Sequence, residues 1–287
     1  MNTFNAMDTV GAANPGRSML RLRARLAVCS AAVALALAGC ATTKPATPQP
    51  PPQPDTTPVK EQQATPQQRA EIHRELAAGY YQRGQMDIAL QELATAQKFD
   101  PSNAKIYDIY GLIYAMLGEE QKARDNFQHA LSLAPSNSEI RENWGAFLCG
   151  TGHARESIPE FERVLADPLF KKPEIALINA GKCTAVLGDT ARAEDYLRRA
   201  MTVAPGNTVA AYNLALLAYK SGRYGEALAW MRPAMRDASP PPEVLHLGMC
   251  IARKHGDSDA AQSYASQLQN RYPHSAEAAN TGPGACP

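Results

Sequence analysis

The chain has 287 residues, of which 45% are apolar and only 7% aromatic. With 29 basic and 28 acidic residues its formal net charge is +1, which leaves no electrostatic footprint for nucleic acid. The alanine-rich, aromatic-poor composition excludes a bulky β-core and favours closely packed helices.

The N-terminus reads as an export segment. Residues 1–39 hold four arginines (Arg17, Arg21, Arg23 and Arg25) against one aspartate, Asp8, hence +3 there and −2 in the remainder. The basic cluster precedes an apolar run, Leu26 to Leu37, that is too short to span a bilayer. Met19 opens a signal of conventional length. The run closes on Leu37-Ala38-Gly39-Cys40, which resembles the bacterial lipobox. The resemblance implies cleavage before Cys40 and acylation of its thiol. Residue 41 is alanine, not the aspartate that usually retains such lipoproteins in the inner membrane, so the implied destination is the periplasmic face of the outer membrane. Residues 40–68 are rich in proline and poor in residues that could pack, the composition of a semi-extended tether.

From about residue 70 the chain repeats itself. Pro101 and Pro135 are one 34-residue period apart, and Pro205 and Pro273 are two, the period of tetratricopeptide (TPR) helix pairs. The pattern predicts an all-α solenoid, a right-handed superhelix of about six helix-turn-helix units over 69–275. The units are 70–103, 104–137, 138–171, 174–207, 208–241 and 242–275, with 276–287 as a flexible tail. The reason for the spacing is steric. Small residues recur at the eighth and twentieth positions, where paired helices approach. Large ones recur at the twenty-fourth, and a mid-repeat glycine turns the chain. No pair buries its apolar faces alone, so neighbours must stack.

Chemistry is sparse. Phosphate loops, zinc-protease motifs and nucleophile elbows are absent from the sequence. The repeats consume the chain from 70 to 275, so the reading is a non-enzyme without cofactor, metal or small-molecule substrate. His246, Cys250 and His255 have a metal-like spacing, but His255 falls at a turn, and scattered repeat residues account for them better. Cys149 and Cys183 stand on adjacent first helices. They either bridge or remain as two buried thiols, and an oxidising periplasm favours the bridge. Cys250 and Cys286 look poorly placed to pair.

The inner face follows from repeat position. It gives Arg74 and Tyr81 in the first unit, Asp108, Leu112 and Met116 in the second, and Glu142 in the third. Leu112, Met116 and Tyr81 would form an apolar strip flanked by Arg74 and Asp108, a surface for a protein partner.

Beyond the repeats, the chain resembles the type IV pilus biogenesis and stability lipoproteins. The likeness rests on Asn143-Trp144-Gly145-Ala146-Phe147-Leu148-Cys149-Gly150 and on the two-residue insertion with Asp167-Pro168-Leu169-Phe170 before Asn179-Ala180-Gly181-Lys182-Cys183. It rests also on Gln267-Leu268 with Arg271-Tyr272-Pro273. The resemblance implies an outer-membrane pilotin whose partner is the pilus secretin. A TPR lipoprotein scaffold for another envelope assembly or export machine stays open beside it.

Overall fold

In the computed structural model the described residues are 64–236, 239–282, 284 and 286. The expected signal segment, Cys40 and all but the end of the tether lie outside them. The described residues form helices and turns with no strand.

Twelve helices pair into six antiparallel units. They are α1 (Pro66–Gln82) with α2 (Met86–Phe99), α3 (Ala104–Met116) with α4 (Glu120–Leu133), and α5 (Ser138–Gly150) with α6 (Ala154–Leu165). Then come α7 (Pro173–Val186) with α8 (Thr190–Val203), α9 (Thr208–Lys220) with α10 (Tyr224–Met231), and α11 (Pro242–His255) with α12 (Ser258–Arg271). A short α13 (Ala276–Ala279) follows.

Within each pair the turn falls on a left-handed glycine. Gly84, Gly118, Gly152, Gly188, Gly222 and Gly256 all have φ between +72° and +89°, a conformation that costs glycine little and other residues more. At three of the five junctions between pairs a proline stops one helix and an asparagine starts the next. Asn103, Asn137 and Asn207, each two residues after a proline, accept hydrogen bonds from backbone N–H groups in the first turns of α3, α5 and α9.

The small positions work as steric gates. A Cβ placed on Gly145 would stand 2.8 Å from the Phe161 ring, and one on Gly111 equally close to Phe127. Leu93, Phe127, Phe161, Leu197 and Met231 hold the same place in successive second helices and are all fully buried. Each such side chain contributes about 1.5–3 kcal/mol.

Two differences from the sequence reading are local. The first helix begins at Pro66, a turn before residue 70, with proline at the first helical position, where no N–H is needed. The fifth unit's second helix stops at Met231 because Pro233 cannot donate within a helix; a 3₁₀ turn, Ala234–Arg236, follows.

First helices adjoin in sequence, α1 against α3, α3 against α5, α5 against α7, α7 against α9 and α9 against α11. They make the inner layer. Second helices lie outside it, and from the third unit onward they are tied by ion pairs such as Arg192–Glu162, Arg223–Glu194 and Arg198–Glu226. Such exposed pairs contribute little singly.

Candidate protein-binding surface

The inner surface is built from one face of α3, α5, α7, α9 and α11, joined by contacts from each helix to the next. Asn143 on α5 donates through Nδ2 to both carboxylate oxygens of Asp108 on α3, at 3.1 and 3.0 Å. One repeat on, Asn179 on α7 donates to Glu142 on α5 at 2.6 Å. The same two helices are also joined covalently. The Sγ atoms of Cys149 and Cys183 are 2.01 Å apart, with Cα atoms at 5.8 Å. The ladder ends at the next step. Ile178 holds the position of the acid, so Asn213 turns back and donates to Val209 of its own helix.

This arrangement corrects the expected role of the charges. Asp108 and Glu142 are only 9% exposed, so neither presents an open charge to a partner beside the strip. Burial pushes the Asp108 carboxyl up to about 7, opposed by the bond from Asn143 and reinforced by Glu142 and Glu139. Burial likewise raises Glu142, against the bond from Asn179. Arg74 is engaged in its own helix, bonded to Glu71 at 2.5 and 2.7 Å with Glu75 nearby.

Of the six inner-face residues expected from the sequence, those left open are apolar. Met116 is 48% exposed at the end of α3, and Leu117 beside it is equally exposed. Tyr81 and Leu112 are half-buried. Leu112 also packs against the cluster of Phe127, Trp144, Phe147 and Leu148, so it belongs partly to the seam and not wholly to solvent. Burial raises the Tyr81 phenol, and the Asp108 charge adds to the effect, which sets that ring near the start of the ladder. Further along the same layer Val186, at the end of α7, is 72% exposed.

At the far end the structure departs from the expected free tail. Cys250 and Cys286 are bonded, with Sγ atoms 2.05 Å apart. Ala278 of α13 packs with Leu245 and Leu268. The tail turns back because α13 has its own apolar contact, which a reading by 34-residue period cannot detect beyond Pro273. Between the tail and the inner face lies a cavity of about 320 Å³ lined by Tyr212, Leu216, Lys220, Glu243, His246 and Glu277. No cluster of three or more metal-ligating side chains occurs among the described residues.

Sequence reading missed Asn143, Asn179, Arg253 and Cys286 as working residues. The Glu142-Asn143 dipeptide carried a signal for the first two: an acid facing one neighbour stands directly before an amide facing the other.

Stacked helix pairs with a shared inner layer define a TPR solenoid. Tetratricopeptide repeat profiles match residues 74–138, 187–247 and 244–275. The solved structure of PilW, a widely conserved type IV pilus biogenesis factor, is 33% identical; the match covers 73% of this chain and 96% of that one, with a TM-score of 0.69. The type IV pilus assembly protein PilF of Pseudomonas aeruginosa is 25% identical over 245 residues, 85% of this chain and 93% of that protein. A solved structure of Pseudomonas aeruginosa PilF covers 75% of this chain and 96% of its own at a TM-score of 0.66 and 24% identity, a likeness of fold. The chain belongs to the family of TPR proteins of type IV pilus biogenesis.

Proposed function

We propose that this chain is a pilotin, a lipid-anchored TPR scaffold that binds the pilus secretin and supports its assembly in the outer membrane. The observation that carries the binding half is exposed Met116, with half-buried Tyr81 and Leu112, at the first end of an inner surface on which Asp108 and Glu142 are buried and hydrogen-bonded. A surface of that kind recognises an apolar face of a protein segment, each buried side chain contributing about 1.5–3 kcal/mol before ordering costs. Relatives named for pilus assembly and pilus biogenesis support the choice of machine. Two disulfides suit an oxidising compartment such as the periplasm.

The anchoring half rests on the residues before Cys40. Metabolic labelling with a palmitate analogue should tag the wild type, and Cys40→Ala should lose the label and leave the outer-membrane fraction. Equal labelling of the two proteins would end that half of the reading.

For the binding half, Met116→Asp is the sharper test, because Leu112 also supports the core. We expect its circular dichroism and melting temperature to stay near wild type, with secretin capture from membranes and surface piliation reduced at least tenfold. Wild-type capture by a folded Met116→Asp protein would exclude the strip as the secretin site.

A further inference from the structure

The concave face of the last two units already has an occupant. After α13 the chain leaves helical geometry and crosses α11, held mainly through its backbone. His246 donates from Nε2 to the carbonyl of Asn280 at 3.0 Å. Arg253 donates from its two terminal nitrogens to the carbonyls of Thr281 and Gly282, at 2.6 and 3.0 Å. His246, Cys250 and Arg253 lie at positions i, i+4 and i+7, one stripe of the helix. The disulfide from Cys250 to Cys286 fastens the segment in the middle of that stripe.

Three carbonyl acceptors met by two cationic or polar side chains make a device that recognises main chain. The segment offers little else: its sequence from Asn280 to Cys286 is Asn-Thr-Gly-Pro-Gly-Ala-Cys, small or turn-forming throughout. The surface beneath continues the inner groove. Tyr212 and Leu216 on α9 stand in the repeat positions that Asp108 and Leu112 hold on α3, and with Gly284 and Cys286 of the tail they line the cavity of about 320 Å³.

We propose that the concave face of the fifth and sixth units is a binding site for an extended, non-helical peptide read through its carbonyl groups, and that the chain's own tail is its resident ligand. The tail then confines other partners to the earlier units. This goes beyond the pilotin reading and stands or falls independently of it.

The test uses the full chain carrying Cys286→Ser, which leaves Cys250 as a thiol. The probe is a synthetic peptide of residues 276–287 with its cysteine activated as an aromatic disulfide. The Cys250 thiolate attacks the peptide sulfur, a new disulfide forms, and the aromatic thiolate leaves and is counted by its colour. Mass spectrometry locates the adduct. We expect capture at Cys250 at least tenfold faster than for N-acetylcysteine amide activated in the same way, which lacks residues 280–282 and their carbonyls. His246→Ala with Arg253→Ala on that background should erase the preference, and wild type should capture neither probe. Equal rates for the two probes would overturn the proposal.

A second measurement guards against a variant that does not fold. His246→Ala with Arg253→Ala is made with both disulfides intact. A dithiol should reduce the Cys250–Cys286 bond at least fivefold faster than in wild type, with reduction of Cys149–Cys183 unchanged as the internal control. An unchanged rate at Cys250–Cys286 would likewise overturn it.

Discussion

Replacing both Cys149 and Cys183 by alanine should lower stability by about 3–4 kcal/mol, from the chain entropy of an open loop of this length. The bridge spans a sequence separation of 34, so it constrains one whole repeat in the unfolded chain. Within the fold it clamps α5 to α7 beside the Glu142–Asn179 bond. The junction it reinforces is the irregular one, where two extra residues lengthen the period and Lys172 gives α7 no side-chain cap. For a domain of this size the loss corresponds to a fall in melting temperature on the order of 10 °C. Both cysteines are removed together so that no buried thiol is left to form wrong pairs. In a solenoid, stability is a sum of repeat and neighbour terms, so the damage should be local. Hydrogen exchange should quicken in α5 to α7 and stay near wild type in α1 and α2. A double variant melting within 2 °C of wild type would show that the packing of these helices, not the bond, holds the junction.

How much of this was legible beforehand divides along a physical line. Repeat period, helix pairing and turn glycines are local regularities, and each leaves a mark at fixed spacing. The gate at Gly145 and the ring of Phe161 could be read as small facing large without knowing any coordinates. Position in the repeat also points to side chains of the inner layer, but it does not say how far each is covered: Met116 is exposed, whereas Leu112 packs partly into the seam. The charges were misread because their fate depends on contacts between repeats. Asp108 stands in an inward position, but Asn143 from the next helix covers it. Only the register of α3 against α5 tells the two outcomes apart. The tail was misread because periodicity ends at Pro273. Pairing Cys286 with Cys250 requires knowing that Ala278 packs on Leu245 and Leu268, which turns the chain back.

That covered acid makes stability fall as pH rises through neutrality, and Asp108→Asn should remove most of the slope. The carboxyl is raised from an ordinary 3.8 to about 7 in the folded chain, with burial the largest cause. Between those values the folded state therefore holds a proton that the unfolded state has released, and stability decreases with pH across that window. The contribution is complete below the unfolded value and lost once pH passes the folded one. A shift of this size corresponds to about 4 kcal/mol when fully expressed, at 1.36 kcal/mol per pH unit.

Asparagine keeps an oxygen to accept from Asn143 and carries no charge at any pH. Denaturant unfolding should therefore find the stability of Asp108→Asn gaining on wild type by about 2–3 kcal/mol between pH 5 and pH 8. A smaller slope should persist in the variant, because Glu142 is raised by burial as well. The carboxylates shifted the other way do not interfere. Glu71 is held below its ordinary range by Arg74, Asp167 by Ser138, and Glu226 by Trp230 and two arginines, so their contributions are lost only at more acidic pH. If wild-type stability instead rises from pH 5 to pH 8 and the variant runs parallel to it, Asp108 is ionised at little cost, and the ladder between the second and third repeats is an ordinary solvated contact.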